Sequence, residues 1–401
     1  MIQNQDIVVI GIQPWNIEIG SNCKNIAQEM AKHNRVLYVN HPLDRITAIK
    51  GKNVPANKDR INVLNGKKDP IAQITDNLWE LNPKMIVEPV NKVTLKPVFD
   101  FFNRMNSKRF AKAVNIAIAK LGFKDYLLFN DSSMFLGNYL DQYMNFKYNI
   151  YYIRDNLINS PSPYWHTHGK RMEELLIKKV DVVVTNSVYY SDYAKPYNKH
   201  SYMVGQGCDT SLFDFKAREI IAPEEVKAIK KPVIGYVGAL TKKRLDLGLI
   251  SFLAQSKPDW QIVLVGPEDA TFLASDLHSF ENIHFLGSKP PDMLPEYISG
   301  FDVCINPQVM NNTTIGNYPR KIDEYLAMGK PVVATLTKAM EYFKAYTFLA
   351  ESNDDYLKLI QKALDTNSKE LAEERRAFAL THSWENNLKE IWNALEMATK
   401  K

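Results

Sequence analysis

A chain of 401 residues is longer than one hydrophobic core ordinarily organises, which points to two domains. Hydrophobic residues at 45% and charged residues at 24% suit a globular chain and exclude a disordered, collagenous or low-complexity one. A net charge of +5 is too small to make nucleic acid the bulk partner. No charge-free apolar run reaches the roughly 18 residues that span a bilayer. The start, Met1 to Asp6, lacks the basic and apolar regions of a signal peptide, so a cytoplasmic protein is expected. Cys23, Cys208 and Cys304 stand far apart without C-x-x-C spacing, which predicts free thiols and no zinc site.

Short β-branched runs alternate with helical stretches nearly from end to end, the pattern of parallel sheets covered by helices. In the first half, strands are read at Ile7 to Ile12, Arg35 to Asn40, Asp125 to Asn130, Tyr148 to Arg154, Asp181 to Asn186 and Ser201 to Gly205. Helical patterns fall at Ser21 to His33, Lys96 to Leu121 and Lys170 to Lys179. Residues 210–231 carry charge, Ala and Pro without a strand-like run and read as a connector. Strands resume at Val233 to Val237, Gln261 to Val265, Ile283 to Leu286, Val303 to Asn306 and Pro331 to Thr335. A closing helix places Trp384, Leu388, Ile391, Trp392 and Leu395 on one stripe. The expected fold is α/β, with two Rossmann-like doubly wound parallel-sheet domains (1–209 and 232–383) facing a central cleft. Helix 384–401 would pack back on the first domain.

The charge is unevenly spread. Between Asn91 and Lys124 eight basic residues accompany one acid, a net +7 that exceeds the total for the whole chain. Phe99, Phe101, Phe102, Met105 and Phe110 lie in the same segment. Such a helix can rest on an anionic membrane surface, or can simply turn its aromatics to the core.

Open α/β folds bind ligands beyond the carboxyl ends of their strands. One candidate is Val237-Gly-Ala-Leu-Thr-Lys-Lys-Arg244, where Gly238 admits a ligand to the backbone and Lys242, Lys243 and Arg244 offer charge to an anion. A solvated loop is the plain alternative. A second candidate is the polar loop Gln308 to Asn317, containing Thr314 and Gly316, which leads into Pro319-Arg-Lys-Ile-Asp-Glu324. Free amides at that helix start favour phosphate. Lys321 and Glu324, three apart, share a face, and the carboxylate could accept both hydroxyls of a ribose. The alternative is a surface Lys–Glu pair.

Gly235-Tyr-Val-Gly-Ala-Leu240, Val263-Leu-Val-Gly266, Phe285-Leu-Gly287, Asp302 to Pro307 and Pro319 to Thr335, taken in order, resemble the nucleotide-sugar half of GT-B glycosyltransferases. The branch looks like the bacterial cell-surface polysaccharide and teichuronic-acid-type enzymes, whose N-terminal half is similar to Gly11 through Asn40 and to Tyr151-Tyr-Ile-Arg-Asp155. The resemblance implies transfer of a sugar from a UDP- or GDP-sugar to a glycan or lipid-linked acceptor. Glu324 would then hold the ribose, Lys243 or Arg244 the diphosphate, and the backbone from Gly287 to Lys289 the base. Gly20 and Ser21 would form a loop under the diphosphate or the acceptor, and Asp155 would be the catalytic acid or base. Two positions depart from the family pattern: Gly316 stands where many retaining relatives carry Glu, and Ala239 where Arg is common.

No D-x-D occurs in the chain, so metal-independent catalysis without a cofactor is expected. His166-x-His168 resembles a metal pair but lacks a third ligand nearby, and Tyr164 and Trp165 beside it suit stacking on a sugar. A nucleotide-sugar epimerase of the same fold and a catalytically degenerate GT-B binding or scaffold subunit remain as alternatives. A nicotinamide dehydrogenase is disfavoured, because Gly11-x-x-Pro-Trp15 is not G-x-G-x-x-G.

Overall fold

A computed structural model describes residues 2–17, 21–51, 53–159, 164–312 and 314–400. The chain divides into two compact units, one of residues 1–205 with 387–401, the other of residues 206–386.

The first unit is built on an eight-stranded sheet: β1 (Asp6–Gly11), β2 (Arg35–Asn40), β3 (Ile71–Thr75), β4 (Leu78–Leu81), β5 (Leu127–Asp131), β6 (Tyr148–Ile153), β7 (Val182–Thr185) and β8 (Ser201–Met203). The order is β3-β4-β2-β1-β5-β6-β7-β8, parallel except for β3, which runs antiparallel to β4 at the edge. Ile7 to Ile10 and Val36 to Val39 are wholly buried, the continuous apolar runs expected of strands covered on both faces. Helix Asn22–Ala31 starts at Ser21, whose Oγ accepts from the Lys24 amide at 3.4 Å. Helix Lys96–Leu121 opens with Pro in its first turn and ends on Gly122 at φ 64°, the left-handed stop that glycine accepts without penalty. Its buried face includes Asn103 and Asn106. Asn103 donates to the Phe135 carbonyl at 2.8 Å, and Asn106 clasps the backbone of Glu88 through both its oxygen and its nitrogen. Buried amides are tolerated when so paired. Asn387 donates to the Val204 and Gly205 carbonyls, with Leu388, Ile391 and Trp392 buried behind it.

The second unit holds six parallel strands: β9 (Val233–Val237), β10 (Gln261–Val265), β11 (Ile283–Gly287), β12 (Val303–Asn306), β13 (Val332–Thr335) and β14 (Phe348–Ala350). Their order is β11-β10-β9-β12-β13-β14. One sheet face is packed by Leu249, Ile250, Leu253, Tyr356 and Ile360 from helices Leu247–Ser256 and Asn353–Thr366. The other is packed by Ile322, Tyr325 and Leu326 of helix Lys321–Ala327 and by Ala379 of helix Lys369–Leu380. The segment 210–231, read above as a connector, contributes Phe213 and Val226 to this same core.

Three strands escape the sequence reading. β3 faces solvent over most of its length, so it lacks the apolar run of a covered strand. β4 and β14 have only four and three residues.

Candidate functional site

In both sheets the chain reverses its direction of winding beside the first strand, between β1 and β5 and between β9 and β12. That reversal opens the crevice at strand carboxyl ends in which doubly wound folds place ligands. Each unit gathers charged side chains at that place.

In the second unit the strand ends are drawn together by glycines. The Gly238 amide donates to the Val265 carbonyl and the Gly266 amide to the Gly287 carbonyl, both at 2.9 Å. A Cβ on Gly266 would lie 2.0 Å from the Gly238 oxygen, so no side chain fits and the backbones touch. Helix Lys321–Ala327 docks against the end of β9 through a motif in which every residue has its own partner. Lys321 Nζ donates to the Tyr236 hydroxyl at 2.8 Å and lies 4.5 Å from that ring's centre. It comes within 3.3 Å of where a Cβ on Gly238 would stand. Ile322 fills the core, Asp323 bonds His382 Nδ1 at 2.6 Å, and the Tyr325 hydroxyl accepts from the Val237 amide at 2.8 Å. Glu324 is largely buried and accepts from Arg320 Nε at 3.1 Å. Burial pushes its carboxyl above the usual carboxylate range, and the charges of Arg320 and Lys321 oppose that rise. With seven residues the helix has a modest dipole, so side-chain cations dominate the local field.

The loops after β9 and β12 are bonded to each other. Asn311 Nδ2 donates to the Lys243 carbonyl at 3.1 Å, the Val309 amide to the Arg244 carbonyl at 2.9 Å, and the Asp246 amide to the Pro307 carbonyl at 2.9 Å. Thr314 is buried, and its hydroxyl accepts from the Asn311 amide and donates to the Val309 carbonyl. It therefore staples the loop's own backbone. Gly316 is buried as well, and Gly287 is exposed at the end of β11 with φ 68°. Lys242, Lys243 and Arg244 are exposed, and none of them has an ion-pair partner among the described residues.

In the first unit Arg154 Nε and Nη2 donate to the two oxygens of Asp131 at 2.9 and 3.3 Å. Nη1 donates to Asp155 at 2.8 Å, and Nη2 also reaches Gln13 Oε1 at 3.2 Å. That same Gln13 oxygen accepts from Ser21 Oγ at 2.7 Å. The structure thus brings Ser21 and Asp155 into one network through Gln13 and Arg154. Gly20 lies outside the described residues. Desolvation works against the charged guanidinium, but Asp131 and Asp155 outweigh it and hold the Arg154 pKa above its ordinary value. Asp131 is fully buried, whereas the Asp155 side chain is 41% exposed.

Sequence reasoning missed Gln13, Asp131, Arg320 and the role of Arg154. Asp131 stood one position beyond the strand as read, and a strand-end acid after a buried apolar run was the available signal. Beside this network lies a cavity of about 390 Å³, lined by His41, Asn103, Met134, Phe135, Tyr164 and Trp165 among others. His168 is buried, bonded to the Val93 carbonyl at 2.7 Å and stacked on Phe99 at 3.8 Å. Its imidazole is thus taken up in packing. Among the described residues no group of three or more His, Cys, Asp or Glu side chains is disposed to hold a metal ion.

Residues 231–366 match the family of glycosyl transferases group 1. Over 161 residues the chain is 32% identical to the Bacillus subtilis (strain 168) protein TuaH, whose name provisionally assigns it to teichuronic acid biosynthesis as a glycosyltransferase. The match spans 38% of this chain and 40% of that relative's length. Among solved structures, sucrose-phosphate synthase from Thermosynechococcus elongatus superposes with a TM-score of 0.68 at 16% identity, over 97% of this chain and 98% of that one. Anabaena HepE, solved in complex with UDP, gives 0.64 at 15% identity, over 98% and 100%.

Proposed function

We propose that this GT-B chain, a relative of bacterial polysaccharide and teichuronic-acid glycosyltransferases, transfers a hexosyl group from a UDP- or GDP-sugar to a lipid-linked cell-surface glycan precursor at the inner face of the membrane. The observation that carries this reading is a coincidence of place. The family match over residues 231–366 contains the helix whose Lys321 ammonium sits at the Gly238 strand end.

In the reaction an acceptor hydroxyl oxygen bonds to the anomeric carbon as the bond from that carbon to the diphosphate breaks. The diphosphate leaves with the electron pair, and the hydroxyl proton passes to a base. The protein's work is therefore to neutralise a leaving anion and to orient the hydroxyl. Lys321, with Lys243 or Arg244, takes the first task, and the Gly238 backbone gives the diphosphate room to approach. Glu324 accepts the ribose hydroxyls, with Gly316 and the Gly287 backbone bordering the donor. Asp155 receives the proton, or a donor phosphate oxygen does so, and Ser21 borders the diphosphate or the acceptor. These protein cations make the reaction independent of divalent metal, so chelation leaves turnover unchanged.

The test is a thermal-shift panel of UDP-, GDP-, ADP- and TDP-sugars, followed by an assay for release of nucleoside diphosphate. A chain that binds none of them would defeat the reading. Binding without release would favour the scaffold alternative, to which the glycine at position 316 lends weight. An altered sugar from donor alone would favour the epimerase.

A further inference from the structure

We propose that the outward face of helix Lys96–Leu121 docks the protein on an anionic phospholipid surface. This shares with the proposed function only its location at a membrane, and it would stand if the transfer reaction were wrong.

The helix is 26 residues long, about 39 Å, and its two faces differ in kind. Phe99, Asn103, Asn106, Phe110, Val114 and Ala117 point into the first unit. On the opposite side Val98, Phe101, Met105, Lys108, Lys112, Ile116 and Ala119 follow one another at steps of three and four, a single stripe. Of these, Phe101 is 66% exposed and Ile116 61% exposed. The aromatics are thus divided: Phe99 and Phe110 serve the core, and Phe101 is held in solvent.

The charges on this face are left over. Arg109 is engaged by Glu88 and Lys120 by Asp69, while Lys108 and Lys112 form no ion pair among the described residues. The helix's one acid, Asp100, is taken by Arg171 at 2.6 Å. Lys108, Arg109 and Lys112 border a shallow depression of about 570 Å³ that also includes Ile116, Ala119 and Tyr143. Ammonium groups standing over aliphatic and aromatic carbon match a lipid phosphate above its acyl chain.

Two occupants compete for such a face, a bilayer and another protein. Lysine is depleted at the centre of protein interfaces, whereas at a lipid surface its stem lies along apolar neighbours and its head reaches the phosphates. Two lysines, Lys108 and Lys112, interleaved with Phe101 and Ile116 therefore favour lipid. No helix among the described residues is long and apolar enough to cross a membrane, so contact through this helix is interfacial.

The test uses the full chain in flotation with vesicles of phosphatidylglycerol and phosphatidylcholine, against phosphatidylcholine alone. The wild type should float with the anionic vesicles at low salt, less at high salt, and remain behind with the neutral ones. At roughly fivefold per unit of charge near the surface, Lys108→Glu with Lys112→Glu should weaken partition by at least about 100-fold. Phe101→Ser with Ile116→Ser should cost about tenfold through lost apolar contact. Four of four substituted side chains are solvent-facing, and unchanged thermal melts would confirm intact folding. A wild type that ignores anionic vesicles, or variants that float like it, would overturn the proposal. A dimer in light scattering that Phe101→Ser with Ile116→Ser dissolves, without vesicle binding, would assign the face to a second copy and overturn it too. UDP-sugar thermal shifts on the same variants should match wild type, which separates failure of docking from failure of the transferase reading.

Discussion

The two strand-end clusters hold positive charge in opposite ways. In the first unit the Arg154 guanidinium is spent on Asp131, Asp155 and Gln13. In the second, Lys321 bonds a neutral tyrosine hydroxyl, and Lys242, Lys243 and Arg244 stand exposed without carboxylate partners among the described residues. A cation matched by carboxylates, one of them buried, fixes geometry, because its field is already answered. An unmatched one presents a field to whatever anion arrives. On the proposed reading, the contrast would give positioning to the first cluster and anion binding to the second.

The strongest way to break this comparison is Asp131→Ala, which removes the buried carboxylate from the Arg154 guanidinium and leaves it only the exposed Asp155 and Gln13. Denaturant titration should show a loss of about 3–5 kcal/mol, and a loss below about 1 kcal/mol would mean Arg154 is not committed as described. Glu173 sharpens the point as a buried carboxyl with no ion-pair partner among the described residues. Burial raises its pKa from 4.5 to about 7, while the Tyr151 hydroxyl donates to it at 2.8 Å. The folded state therefore holds this proton more tightly than the unfolded chain. The group's stabilisation is full below about pH 4.5 and is lost as pH rises through about 7. That rise in pKa corresponds to about 3 kcal/mol. Urea titrations at pH 4 and pH 8 should show that loss in the wild type and not in Glu173→Gln.

Glu324→Ala comes next, with donor affinity reduced on the order of 100-fold if two ribose bonds are removed. Unchanged calorimetric affinity in a folded variant would reject the role. Because burial raises this carboxyl and only its ionised form accepts two hydroxyls, wild-type affinity should fall on acidification at a higher pH than an ordinary glutamate would give. Smallest is Lys321→Ala, expected to weaken donor binding about tenfold while moving the melting temperature little. A large stability loss with affinity intact would invert the contrast.

The parallel strands were legible because burial on both faces writes long apolar runs such as Ile7 to Ile10 and Ile262 to Val265. The motif around Lys321 was legible as a motif, yet its residues serve different partners, which spacing alone does not reveal. Lys321 turns to Tyr236, Asp323 to His382 and Glu324 to Arg320. Thr314 lies in the polar loop that the sequence offers as a donor border, and its hydroxyl bonds that loop's own backbone, a use that local polarity does not reveal. The Arg154 network joins residues 13, 21, 131, 154 and 155. Its long-range partners are set by strand order, which no local pattern records.

The mutual bonding of residues 238–246 with residues 307–317 bears on how this protein could be altered. Neither segment is an independent cassette: the peptide groups of Lys243 and Arg244 are moored to Asn311 and Val309, so a length change in residues 307–317 displaces the cations carried by residues 238–246. If the proposed function holds, altering which nucleotide is accepted would require exchanging both together, and lineages of this chain would be expected to insert or delete in the pair rather than in either alone.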